Sequence, residues 1–155
     1  MSKKYLIFYL MMGLVICLSL SPVTAGEDTY SINIGGINFN IPNNYQVNED
    51  FIFEDDVNVI DRWYNNVPAH YKSVDFSDGK NTITISVTTS NGEPFTNQNV
   101  GFADNIKTKI ANKTGSLNKS PGDVLFSYVE DGKVVAIETL MEKDNENIIE
   151  KCIGT

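Results

Sequence analysis

Hydrophobic and polar positions alternate most cleanly between Tyr30 and Ile41. Tyr30, Ile32 and Ile34 are separated by polar residues, Gly35-Gly36 follows, and Ile37, Phe39 and Ile41 resume the alternation. The pattern predicts a hairpin with a two-residue turn. Such a turn pairs position 34 with 37, 32 with 39 and 30 with 41, so both strands turn apolar residues to one face. Pro42 ends the pairing, having no amide hydrogen to give.

The segment from 46 to 70 mixes periods. Phe51, Ile52 and Phe53 form a short apolar run that suits a buried strand. Beyond it, Asp55 or Asp56 is placed to cap a helix carrying Val57, Ile60, Trp63 or Tyr64, and Val67, closed by Pro68. From Tyr71 the pattern returns to strand. Asp78-Gly79 marks a turn, then Ile83, Ile85 and Val87 alternate with Thr and Ser until Asn91-Gly92-Glu93-Pro94. Strict alternation of this kind favours an antiparallel sheet with one face covered.

Next, Phe102, Ala103, Ile106 and Ile110 fall on one helical stripe, with Asn97 or Asn99 as cap and Gly115 as stop. This second helix is expected to pack on the apolar face of the sheet. A second hairpin joins Val124–Val129 to Lys133–Leu140 through Asp131-Gly132, setting Phe126 against Ile137 and Tyr128 against Val135. Leu125, Val129 and Val134 load its other face, which suggests a central position. Ile148, Ile149, Cys152 and Ile153 then recur at helical spacing and put Cys152 on a buried stripe. The expected fold is therefore α+β: an antiparallel sheet built from hairpins, with one to three helices packed on it.

The first twenty-five residues follow a different rule. Lys3 and Lys4 precede a sixteen-residue apolar run from Tyr5 to Leu20, then Pro22 and the small-residue exit Val23-Thr24-Ala25. That is the layout of a secretory signal peptide cleaved after Ala25. The run falls short of the roughly 20 residues a spanning helix needs and contains Gly13 and Ser19. The alternative is an uncleaved signal anchor that leaves the remainder facing outward. Residues 26–155 are then one domain, destined for secretion or for the outer face of the cell envelope.

Export changes how charge and cysteine are read. The whole chain has 12 basic and 20 acidic side chains; removing residues 1–25 takes two lysines, leaving 10 and 20, a net charge of −10. A field of that sign disfavours nucleic acid and anionic lipid. Contact with a membrane is expected only through an uncleaved signal segment. Only Cys152 remains after cleavage, so no internal disulfide forms and the core itself must hold the fold. Asn112-Lys113-Thr114 and Asn118-Lys119-Ser120 match the glycosylation acceptor pattern, although an Asn-rich, Ser- and Thr-rich chain produces such matches by chance.

Candidate chemistry is sparse. His70 is the single histidine, which with Cys152 is too few ligands for a zinc cluster, so no metal or cofactor is expected. No phosphate-binding or dinucleotide glycine pattern is present. The acidic patches Glu49-Asp50 with Glu54-Asp55-Asp56, and Glu142, Asp144 and Glu146, read as solvated faces; oxygen-rich loops can also hold calcium. No catalytic residue is assigned. Trp63, Tyr64 and Tyr71 are the candidate contact surface, because aromatic side chains anchor protein partners.

The segment Gly36-Ile37-Asn38-Phe39-Asn40-Ile41-Pro42-Asn43-Asn44-Tyr45 resembles the start of uncharacterised small exported proteins of methanogenic archaea. The expected order of elements over 29–153 is similar to the PsbP-like class, an antiparallel sheet flanked by helices. The resemblance implies an architecture and carries no site residue. The functional expectation is a non-catalytic surface or secreted domain that binds a protein or envelope partner. The alternative is a small extracellular hydrolase using carboxylates or His70.

Overall fold

A computed structural model of the chain describes residues 28–60, 66–99, 106–141, 143 and 145–154. The first hairpin forms as its alternation requires. Strand β1 (Thr29–Ile34) pairs antiparallel with β2 (Ile37–Pro42), with Ile34 opposite Ile37, Ile32 opposite Phe39 and Tyr30 opposite Ile41. Gly35 and Gly36 have φ of 58° and 85°, the left-handed values that a tight hairpin turn demands of both central residues.

The remaining strands make one seven-stranded antiparallel sheet. They are β3 (Gln46–Ile60), β4 (Asn66–Ser77), β5 (Thr82–Ser90), β6 (Ile106–Ile110), β7 (Lys113–Ser120), β8 (Asp123–Glu130) and β9 (Lys133–Leu140), in the order β3-β4-β5-β9-β8-β7-β6. Among the described residues one helix, α1 (Asn145–Ile153), follows. Of the described residues, 67% lie in strands and 8% are helical, which corrects the α+β expectation to a mainly β protein. A sheet flanked by several helices, and with it the PsbP-like order, does not survive.

Two predicted helices account for the correction. Asp55 to Ile60 belongs to β3 and Asn66 to Val67 to β4, with Val57 opposite Ala69 and Val59 opposite Val67. Ile106 to Ile110 is β6, and Gly115, expected as a helix stop, lies inside β7 opposite Tyr128. Phe102 and Ala103 of that predicted helix lie outside the described residues, as does Trp63-Tyr64 of the other. In both segments β-branched residues, disfavoured in helices by their restricted χ1, end up in strands that suit them.

The second layer covers one face of the large sheet. The β1–β2 hairpin sits over β4 and β5, and α1 packs on β2, β9, β8 and β6. On that inner face the register lines up Ile52, Val74, Ile85, Ile137, Phe126, Leu117 and Ile106 in a single row from edge to edge. The middle of the row is fully enclosed by Ile34, Phe39 and Ile41 of the hairpin and Ile149 and Cys152 of α1. Each fully buried aromatic or branched side chain there contributes roughly 1.5–3 kcal/mol. The predicted second hairpin is β8–β9, in its expected register, and β9 is the central strand. Leu125, Val129 and Val134 on its outer face are only partly buried, because both covering elements lie on the inner side.

Candidate functional site

Among the described residues, three of the five exposed large apolar side chains lie along β3, an edge strand. Glu54 and Asp56 stand two apart on β3 and therefore share a face, opposite Lys72 and His70 on β4. His70 Nδ1 lies 3.0 Å from Asp56 Oδ1 and His70 Nε2 lies 3.0 Å from Glu54 Oε1. Lys72 Nζ donates to the other Glu54 oxygen at 2.7 Å. Each ring nitrogen thus faces a carboxylate oxygen, which accepts and cannot donate when ionised. With a carboxylate facing each ring nitrogen, the arrangement favours the imidazolium form, in which both nitrogens donate.

The shifts agree with that geometry. The hydrogen bond to Asp56 and then that to Glu54 raise the His70 pKa above 6.5. The hydrogen bonds from Lys72 and then His70 hold the Glu54 carboxyl below 4.5. All four side chains reach solvent, so the cluster is a surface clip joining β3 to β4. An imidazolium has no lone pair with which to take a proton from a nucleophile. Ser73 lies on the opposite face of the sheet, and the Ser77 hydroxyl donates to the Asn81 carbonyl. Cys152 is fully buried beneath α1, where burial pushes its thiol up to about 12. The structure brings none of these groups to His70.

Beside the clip, three consecutive large apolar residues are exposed. Phe51 is 60% exposed, Ile52 49% and Phe53 49%, where a buried strand was expected. The reason is topological: among the described residues β3 pairs only with β4, and the covering hairpin sits further in, over β4 and β5. Tyr71, the third predicted contact residue, is half-buried on the outer face, its ring 5.8 Å from that of Phe53 and tilted by 55°. Trp63 and Tyr64 lie outside the described residues. Tyr71 thus joins an apolar patch that the sequence pattern assigns to the core.

The second acidic patch is less coherent. Glu146 forms an ion pair with Lys119, while Glu142 and Asp144 lie outside the described residues. Among the described residues, no group of three or more His, Cys, Asp and Glu side chains is placed to hold a metal ion. Asn112 and Asn118 are exposed, on the β6–β7 turn and on β7. No family model, curated protein or solved structure matches the chain.

Sequence reasoning missed the Glu54–His70–Asp56 clip. Its signal was present as acids at 54 and 56 and bases at 70 and 72, each pair at strand spacing. Only the antiparallel register, which sets 54 against 72 and 56 against 70, turns two polar stripes into one cluster.

Proposed function

We propose that this chain is an exported, non-catalytic binding domain of the cell surface or secreted fraction, acting through the open edge at β3. The observation that supports this reading is the exposed run Phe51-Ile52-Phe53 on a strand with one free side. A strand edge offers unpaired amide and carbonyl groups to an extended segment, and apolar side chains beside it add specificity. Carboxylates flank the run at Glu49, Asp50, Glu54, Asp55 and Asp56, so the segment that fits is extended, apolar in part and positively charged. Long exposed edges of this kind are a hazard for a protein with no use for them.

The test is fractionation of cells expressing the full chain with Phe51, Ile52 and Phe53 all changed to Ser. The reading expects loss of the protein from its envelope or surface-associated complexes, with the circular dichroism of the folded sheet retained. Unchanged association would end it.

A further inference from the structure

The segment described above as a fitting partner occurs at the opposite edge of the same sheet. Strand β6 reads Ile106-Lys107-Thr108-Lys109-Ile110 and, among the described residues, pairs only with β7. Ile106 is 62% exposed, and both lysines are exposed. One edge of the sheet is thus acidic with exposed apolar residues, and the other is basic with an exposed isoleucine. We propose that copies of this chain associate head to tail, β6 of one copy adding to β3 of the next, to form a continuous sheet.

Direction and register both permit it. Six antiparallel steps separate β3 from β6, so the two edge strands run the same way. A neighbouring copy in the same orientation therefore meets β3 with β6 as a parallel pair, keeping the inner faces of both sheets on one side. The inner-face row that ends in Ile52 at one edge ends in Ile106 at the other. On the outer face, the row that begins at Asp55 runs through Tyr71, Thr88 and Val134 to Val129, and the registers of β7 with β8 and of β6 with β7, carried one residue further, bring it to Lys109. Continuing the rows into the next copy sets Ile106 beside Ile52, Lys107 beside the Phe53 ring and Lys109 beside Asp55. These are an apolar pair, a cation–π pair and an ion pair.

Charge also decides between this arrangement and the symmetric ones. Two β3 edges brought together would set five carboxylates against five, and two β6 edges would set lysines against lysines. Charged side chains on an edge are the usual guard against edge pairing. Here that guard repels the like edge and attracts the unlike one. A heterologous contact whose rotation does not close gives an open chain of subunits, so growth without a fixed end point is expected.

This inference rests on the reading of β3 as a binding edge, and names its occupant. The experiment is sedimentation velocity on protein expressed from the full chain, at rising concentration and at low and high salt. Wild-type protein is expected to form a ladder of species that shrinks at high salt. Lys107→Glu/Lys109→Glu keeps β3 and loses β6; Ile52→Ser/Phe53→Ser/Asp55→Ser keeps β6 and loses β3, and the two altered edges have no complementary charge between them. Each variant alone is expected to be monomeric, and their mixture is expected to stop at a one-to-one heterodimer. That heterodimer also shows that both variants are folded. Homodimers of either variant, or a mixture that stays monomeric while the wild type associates, would overturn the proposal. A wild type that is monomeric at every concentration overturns it too. If the Phe51-Ile52-Phe53 variant nevertheless loses its surface association, β3 binds a different protein and only the head-to-tail assembly is lost.

Discussion

Lys133 Nζ donates a 2.7 Å hydrogen bond to the main-chain carbonyl of Gly35, 98 residues earlier in the chain. The bond ties the turn of the β1–β2 hairpin to the central strand of the large sheet. The same turn is seated against β5, since a Cβ added to Gly35 would lie 2.8 Å from Val87 Cγ1. Docking of the hairpin thus has a polar anchor beside its apolar contacts. Lys133→Met keeps the aliphatic stem and removes the donor, and a hydrogen bond from a charged group is worth about 1.5–3 kcal/mol. Urea unfolding is expected to show a loss of about 2 kcal/mol. An unchanged midpoint would mean that the apolar contacts alone seat the hairpin.

The His70 clip makes the β3–β4 edge sensitive to pH. His70 has a raised folded-state pKa, so its contribution is complete below about 6.5 and is lost as pH rises through the raised value. Glu54 has a lowered one, so its contribution is complete above about 4.5 and is lost as pH falls through the lowered value. The two together are strongest between those limits. Amide hydrogen exchange along β3 is expected to be slowest there, after correction for the intrinsic pH dependence, and faster at pH 8. In His70→Gln the rise between pH 6 and 8 should vanish; a rise that persists in the variant would show that the clip does not control the edge.

Two backbone positions in the β6–β7–β8 region should respond in opposite directions. Ala111 has φ of 44°, a conformation that glycine adopts freely and alanine does not. Ala111→Gly is expected to raise stability by up to about 1 kcal/mol. Gly115 is crowded, because an added Cβ would lie 2.3 Å from the Ser127 carbonyl oxygen and 2.8 Å from the Phe126 ring. Gly115→Ala is expected to cost about 1–3 kcal/mol. Thermal melts of both variants would check the pair, and equal shifts of the same sign would contradict the backbone argument.

Cys152 is expected to be inert in the folded protein. It has no exposed surface, and burial holds its thiol in the protonated form at neutral pH. Peptide-resolved labelling with an alkylating reagent should leave Cys152 unmodified in native protein and modify it fully in urea. Native labelling, or a reducible dimer linked through this residue, would show that α1 opens readily. Replacing Cys152 by Ser should cost about 1–3 kcal/mol, since it buries a hydroxyl beneath α1 among apolar side chains.

Two of the hairpins with glycine in their turns were legible down to the residue pairs. Gly35-Gly36 and Asp131-Gly132 announce left-handed turns, and alternation on either side then fixes the partners. The β6–β7 hairpin was hidden because its turn is Ala111-Asn112, with φ of 44° and 64° and no glycine. Its apolar residues misled for a simple reason. A spacing of four, as between Phe102, Ile106 and Ile110, satisfies a strand period of 2 and nearly satisfies a helix period of 3.6. Val57-Asn58-Val59 carried strand alternation too, but the longer stripe through Ile60, Trp63 and Val67 matched a helix as well. The candidate surface was legible only in part: Tyr71 belongs to an exposed patch, while its companions Phe51, Ile52 and Phe53 read as core.

The sequence by itself determined what short-range chemistry controls. It set the tight turns, the partners across them, the burial of Cys152 on a short terminal helix, and the acidic balance of the chain. Tertiary structure decided what depends on distant pairing. Ile85 meets Ile137, more than fifty residues later, and that contact places β9 at the centre and leaves β3 and β6 as the edges. Alternation says which residues share a face of a strand, and nothing in it says whether that strand has one neighbour or two. The same Phe-Ile-Phe run would be core in a central strand; at an edge it is surface, beside a clip whose four members come together only through register.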